Sequence, residues 1–490
     1  MLLTRPPQTR RWWALGAVSV TQMMVALDAT VINIALPRAQ VDLNFSNANR
    51  QWLITAYALA FGSLMFLGGR LSDLWGRRTA LVVGLVGFAG ASAIGGAART
   101  FAVLVSARAV QGAFGALLAP AALAALTVMF REPRERAKAF AIFGAVGGSG
   151  AAIGLLLGGA LTQWASWRWC LTINLVFAAI SLVGVVAFVP GGREARAIHL
   201  DLVGSVLGSS GLFALVFGLG RAVTTGWGNA DTVVALVVGG ALLAFFVTWQ
   251  RHSHFPLLPL RIVMNRTRGG SLIALFITTI GIFGISLFLA YYLQNTLGYS
   301  PLKTGMLFLP LVGALAFSAS IASARLLALV GPRPLVPAGM LLGMMGMVLF
   351  TKLPVNADYS GHVLPGLVVT GLGLGLIFAP STASATAGIE PRDAGAASAM
   401  VNTAQQIGGS LGTALLNTIA VITARRLACP SGHGVLHCAV SVGSHPAAVV
   451  HGYSVAFWWA AGLFGVGAVV TFVMLESGVP ELEAELVPLI

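Results

Sequence analysis

Leu27-Asp28-Ala29-Thr30-Val31-Ile32-Asn33-Ile34-Ala35-Leu36-Pro37 closes an apolar run that begins at Trp12. About 20 consecutive apolar residues suffice for a helix to cross a bilayer, so this run qualifies as a span. Asp28 lies nine residues before Pro37, about 13 Å along a helix axis. A bare carboxylate at such depth costs about 3 kcal/mol or more, so it has to be paired, hydrated or protonated. The other fourteen acidic residues fall in loops, tails or within a turn of an expected helix end. Asp28 is therefore the one acid expected deep in the membrane, and the functional reading is organised around it.

The surrounding composition agrees. With 57% hydrophobic and 9% charged residues among 490, the chain has too little polar surface for an ordinary soluble domain and reads as a polytopic membrane protein. Its sixty glycines suit helices that approach closely in lipid. The formal charge of +14 does not point to nucleic acid, because the cations sit in short patches between apolar runs with no interleaved aromatic platform. Three cysteines make no disulfide scaffold. Arg5, Arg10 and Arg11 ahead of the first run could resemble a signal peptide, but the run is long, lacks a small-residue cleavage site and ends in the Asp28 stretch, so it reads as a retained span.

Fourteen apolar segments can be marked: 12–36, 50–69, 79–98, 101–129, 137–161, 167–189, 200–221, 231–250, 270–296, 303–324, 334–352, 361–388, 396–424 and 451–475. An even number puts both termini on one side. Taking that side as cytoplasmic distributes Lys and Arg about two to one in its favour, the expected positive-inside bias. Internal matches recur at a common offset. Gly115–Pro120 echoes Gly375–Pro380 at 260, Gly147-Gly148-Ser149 echoes Gly408-Gly409-Ser410 at 261, and Gly76-Arg77-Arg78 loosely echoes Gly331-Pro332-Arg333 at 255. The fourth segment thus maps to the twelfth and the fifth to the thirteenth, as two six-helix halves with two helices inserted between them would require. The expected organisation is a tail 1–11, a six-helix bundle 12–190, a linker carrying two inserted helices 191–269, a second six-helix bundle 270–475 and an acidic tail 476–490.

Gly69-Arg70-Leu71-Ser72-Asp73-Leu74-Trp75-Gly76-Arg77-Arg78 is expected to be a tight cytoplasmic loop between the second and third spans. Its glycines would permit unusual backbone angles, and Asp73 would cap a helix or pair with a nearby arginine as a gate. This pattern is similar to the cytoplasmic-loop signature of the major facilitator superfamily. Three further stretches narrow the resemblance to its fourteen-span drug:proton antiporter family. Leu27–Pro37 looks like that family's first-span motif. Arg108-Ala-Val-Gln111-Gly112-Ala-Phe-Gly115 through Pro120 resembles its fourth-span motif, implicated in proton transfer. Gly150, Gly154, Gly158 and Gly159 resemble its fifth-span antiporter motif. The match continues through Trp167-Arg168-Trp169, Ile173-Asn174 and Asn402–Gly412. Two positions depart from the pattern: Leu155 and Val176 stand where the family commonly has proline, which predicts a straighter fifth span.

The resemblance implies an all-α major facilitator fold and a secondary exporter of hydrophobic, drug-like compounds by proton antiport across the plasma membrane. It implies neither an enzyme nor a cofactor. The expected partners are a lipophilic substrate, the proton and the bilayer, and the expected working unit is a monomer. On the residues alone, Asp28 and Arg108 lie at matched depth and can pair, so that Asp28 takes and releases the coupling proton while Arg108 keeps the proton-free form favourable. The same pair would serve equally as a structural tie. Gly150, Gly154 and Gly158 recur every four residues and make one smooth helix face, for sliding or for static packing. Candidate liners of a central cavity are Asn33, Gln51, Gln111, Gln294, Asn295, Asn402, Gln405, Gln406 and Asn417, amides that could equally be glue between helices. Cys429 and Cys438, with His433, His437 and His445 near them, suit a disulfide or, less readily, a metal site in an outer loop. Symport or export of another metabolite, a non-transporting sensor and a membrane enzyme are the competing readings. The last would need histidines and acids clustered near one membrane face, a pattern the sequence does not offer.

Overall fold

The computed structural model describes residues 8–46, 49–130, 132–191, 201–253, 256, 264–322, 326–356, 358–387, 394–428 and 445–477. Among them there is no strand. Helices stand at all fourteen expected positions. The first eight are α1 (Gln8–Leu43), α2 (Trp52–Trp75), α3 (Arg77–Gly96), α4 (Phe101–Met129), α5 (Pro133–Trp164), α6 (Trp169–Phe188), α7 (Leu202–Thr225) and α8 (Ala230–His252). Next come α9 (Arg266–Tyr291), prolonged by a π turn over Tyr292–Thr296, then α10 (Pro301–Leu307) and α11 (Leu309–Ile321), which together form one span broken at Phe308. A short α12 (Leu327–Val330) precedes α13 (Pro332–Phe350), α14 (Leu364–Thr386), α15 (Ala394–Ala428) and α16 (Pro446–Met474). Eleven of the spans are long and apolar enough to cross a bilayer by themselves. The helices at the second, fifth and seventh positions carry shorter apolar stretches, Trp52–Met65, Ala152–Trp164 and Val203–Leu215.

Packing repeats with the step of eight that the sequence echoes require. In the first half α1 lies against α5 and α6, α2 against α4, and α3 against α4 and α6. In the second half α9 lies against α15 and α16, α11 against α14, and α13 against α14 and α16. The inserted hairpin α7–α8 rests through α7 on α2 of one half and α15 of the other. Asp201 clasps it: the carboxylate caps α7 through Gly204 N at 2.8 Å and accepts from Trp249 Nε1 at 2.8 Å and Gln250 Nε2 at 2.7 Å.

Two expectations are corrected. The Gly69–Arg78 stretch is not a ten-residue loop. Gly69 to Trp75 are the last two turns of α2, α3 begins at Arg77, and Gly76 alone turns the chain. Its φ of 85° is open to glycine at no steric cost, so one residue replaces a loop. Pro37, expected to end the first span, lies inside α1, which runs on to Leu43. A proline removes one backbone donor without ending a helix whose neighbours hold it. Asp28 is thus fifteen residues from the end of α1, about 22 Å along the helix axis. α5 runs unbroken from Pro133 to Trp164.

The start of α1 and the end of α16 share one face of the molecule. Arg10 donates to Ala187 O near the end of α6 at 3.0 Å, and Arg266, opening α9, donates to Val473 O near the end of α16 at 2.6 Å. At the opposite face the halves meet. Tyr291 donates to Gln40 Oε1 at 2.5 Å and Gln294 to Ile34 O at 3.1 Å. There Gly159 of α5 abuts Leu302 of α10, and Gly305 of α10 abuts the carbonyl of Leu155, approaches so close that a Cβ on either glycine would collide with backbone.

Candidate functional site

Asp28 lies in the first half, wholly enclosed by it, at the meeting of α1, α3, α4 and α6. Its Oδ2 accepts from Arg108 Nη1 at 2.5 Å. Its Oδ1 accepts from Asn174 Nδ2 at 2.6 Å and Gln111 Nε2 at 3.1 Å. Asp28, Gln111, Asn174 and Ser92 are 0% exposed and Arg108 1%. Arg108 is itself tied down. Its Nε donates to Leu53 O at 3.2 Å, its Nη1 also to Gln111 Oε1 at 3.0 Å, and its guanidinium lies 4.3 Å from the Tyr57 ring centroid. Gln111 spends its amide hydrogens on Asp28 and on Ser92 Oγ, the latter at 2.6 Å. Every oxygen of the carboxylate therefore has a donor, which is what lets a charge exist out of water. Removing one member of such a pair costs about 3–5 kcal/mol, because the other stays buried and unpaired.

The glycine face of α5 backs this cluster. A Cβ on Gly150 would stand 2.8 Å from Met23 O, one on Gly154 2.9 Å from Leu27 O, and one on Gly158 3.0 Å from Val31 O. The three glycines thus let α5 lie backbone-to-backbone on the turn of α1 that bears Asp28. Gly159 points elsewhere, to the second half.

Seven of the nine amides expected to line one cavity fall into three groups, and Asn33 and Asn295 stand apart. Gln111 belongs to the charge cluster, because it stands three residues after Arg108 on α4 and so shares its face. Gln51, Gln294 and Asn417 sit at the junction of the halves: Asn417 Nδ2 donates to Gln51 Oε1 at 2.8 Å. Asn402, Gln405 and Gln406 on α15 are half-buried, and Gln406 Cβ comes within 3.0 Å of where a Cβ on Gly62 of α2 would stand. Asn33 donates to Ala29 O of its own helix at 3.3 Å, and Asn295 is exposed. Around the turn at Gly76, Arg78 donates to Val186 O at 2.6 Å. The side chains of Arg70 and Asp73, and residues Cys429 and Cys438, lie outside the described residues. Among the described residues no three His, Cys, Asp or Glu side chains converge as metal ligands.

Asn174, Ser92 and Tyr57 entered the site without having been singled out for it. Asn174 carried the signal used for the other amides, a polar side chain inside an apolar span; Ser92 and Tyr57 carried none. Arg50, the first residue of the second apolar segment and counted among the cations of the outer side, is 3% exposed. Its hydrogen-bond partners, Asn417 and Tyr453, lie 367 and 403 positions away. Separations of that size are invisible to local patterns.

Beside two six-helix halves of matching packing, one holding a buried Asp–Arg pair, stands a match in sequence: residues 18–413 fit the family model of the Major Facilitator Superfamily. The chain belongs to that family. Among curated relatives, this family member is 46% identical over 473 residues to the puromycin resistance protein pur8 of Streptomyces alboniger, covering 96% of this chain and 92% of the relative. It is 36% identical to the cephamycin export protein CmcT of Amycolatopsis lactamdurans, covering 83% and 84%. It is 31% identical to the multidrug efflux pump LfrA of Mycolicibacterium smegmatis, covering 85% and 82%. In fold it is similar to a bacterial homologue of the human lysosomal transporter Spinster in an inward-facing, occupied conformation, with a TM-score of 0.64 at 16% identity over 96% of this chain and 97% of that one. It is therefore a multi-pass membrane protein of the major facilitator fold.

Proposed function

We propose that this protein is a secondary exporter of lipophilic, drug-like compounds, antibiotics among them, driven by proton antiport across the plasma membrane with both termini in the cytoplasm. The observation that carries the reading is the sealed cluster of Asp28, Arg108, Gln111 and Asn174. An ionisable pair inside the spans is costly, and such pairs mark ion and proton pathways. Relatives named for puromycin resistance, cephamycin export and multidrug efflux support the substrate class.

In this reading Asp28 carries the proton. As a carboxylate it ties α1 to α4 and α6 through Arg108, Gln111 and Asn174. Once protonated it loses the attraction to Arg108, which keeps Leu53 O and Gln111 Oε1 as acceptors, and α1 becomes free to shift along the glycine face of α5. The halves taken as rocking bodies are 12–190 and 270–475, with the hairpin in 191–269 bridging them. Cargo meets the protein between the halves, where Asn402, Gln405 and Gln406 offer hydrogen bonds within an otherwise apolar wall. The turn at Gly76, with Asp73, Arg77 and Arg78, serves as the gate on the cytoplasmic face.

The test is purified protein in liposomes with a trapped pH-sensitive dye, challenged with puromycin and a panel of lipophilic cations. Wild type is expected to move protons on addition of substrate, and Asp28→Asn, checked for folding by size-exclusion chromatography, is expected not to. Proton movement that survives in Asp28→Asn removes Asp28 from the coupling role.

A further inference from the structure

On the face that carries the start of α1 and the end of α16, both halves place two arginines against the end of their last helix. In the first half, Arg10 donates to Ala187 O at 3.0 Å and Arg78 to Val186 O at 2.6 Å. Cations at the carboxyl end of a helix meet its unpaired carbonyls and the negative end of its dipole. The second half repeats the arrangement with one change. Arg266 donates to Val473 O at 2.6 Å, but Arg333 reaches no carbonyl. Its guanidinium stands 5.0 Å from the Phe472 ring centroid, its Nε is buried, and among the described residues it has no hydrogen-bond acceptor.

Beside this second pair opens a cavity of about 370 Å³ lined by Arg266, Arg333, Val473, Leu475, Glu476 and Ser477. Its charged lining is two cations and one carboxylate. Apolar side chains stand exposed near it in the chain: Val469 and Phe472 of α16, the latter under Arg333, and Leu329 and Val330 of α12, which lead into the helix that begins beside Arg333. A guanidinium offers five donors in a planar fork suited to phosphate oxygens, and an unpaired one at the membrane surface is a site in want of an anion. A basic pocket between helices at that level is where headgroups dock, while the apolar rim suits acyl chains.

We infer that the Arg266–Arg333 cavity binds the phosphodiester of an anionic membrane phospholipid, with its acyl chains along Phe472, Val469 and Val330. The net lining charge of one cation matches one phosphodiester. Glu476 makes a doubly charged free phosphate the poorer fit. In the first half Arg10 and Arg78 each spend a donor on a helix carbonyl, whereas in the second, among the described residues, only Arg266 does and Arg333 keeps all of its donors.

Native mass spectrometry of the full chain, delipidated and titrated with phosphatidylglycerol, tests this against Arg266→Gln, Arg333→Gln and, as a control on the far face, Arg426→Gln. Each variant is first required to match wild type in elution and in unfolding temperature without lipid. Wild type and Arg426→Gln are expected to retain one tight phosphatidylglycerol, and each cavity variant to bind it about fivefold to tenfold more weakly, as loss of one surface cation predicts. Unfolding temperature should rise with added lipid in wild type and not in the double variant. Equal retention by wild type and the double variant overturns the inference. So does displacement of the lipid by millimolar inorganic phosphate, which would make this a free-anion site.

Discussion

Arg50, just before α2, donates its Nε to Asn417 Oδ1 of α15 at 3.0 Å and so joins the two halves of the molecule. Its Nη1 donates to Tyr453 Oη at 3.3 Å, and its guanidinium lies 4.3 Å from the Tyr291 centroid. No carboxylate among the described residues pairs with it. Neutral acceptors and aromatic faces alone offset the burial of this cation, a weaker arrangement than an ion pair. Contacts of that kind hold an interface that can also part.

Replacing Arg50 by Gln removes charge-assisted hydrogen bonds of about 1.5–3 kcal/mol. If the halves are in equilibrium between meeting and parting at this face, the balance moves roughly ten- to hundredfold toward parting. Spin labels at Asn44→Cys and Lys303→Cys, measured by double electron–electron resonance, are expected to show a longer-distance population that grows in Arg50→Gln.

Arg108→Lys keeps the charge and is expected to fail in transport. An ammonium group on a flexible stem cannot serve Asp28, Gln111 and Leu53 O together while stacking on Tyr57. Arg108→Gln is expected to be worse, leaving Asp28 buried and unpaired at a cost of about 3–5 kcal/mol. A thiol-reactive dye unfolding assay in detergent, read beside proton-linked transport, orders the three as wild type, Arg108→Lys, Arg108→Gln.

A methyl at Gly154 would stand 2.9 Å from Leu27 O and closer still to Thr30 Oγ1. Gly154→Ala must therefore push α1 away from α5 beside Asp28. The expected cost is about 1–3 kcal/mol, with transport falling in step. Gly313→Ala, where nothing lies within 4 Å, is the control and is expected to leave both unchanged.

Asp201→Ala deprives Gly204 N, Trp249 and Gln250 of a common acceptor and removes the cap of α7, together about 1–3 kcal/mol. The hairpin α7–α8 is expected to exchange amide hydrogens faster by mass spectrometry. The Asp28 cluster touches neither helix, so coupling per transport event should be unchanged.

Much of this protein was written locally. Helical runs at the expected positions, the repeat step of eight and the pairing of Asp28 with Arg108 follow from apolar length, recurring glycines and the cost of a charge in lipid, all properties of short windows. What only the tertiary structure decided is where the polar groups meet. Asn174 completed the Asp28 cluster from α6, 146 positions away. Gln51 left the expected cavity for the junction because Asn417 faces it. Arg50 is buried because residues hundreds of positions away close over it. Hydrophobic length is additive along a chain and can be read there. A hydrogen bond depends on angle and distance between side chains on different helices, and those are set when the helices pack.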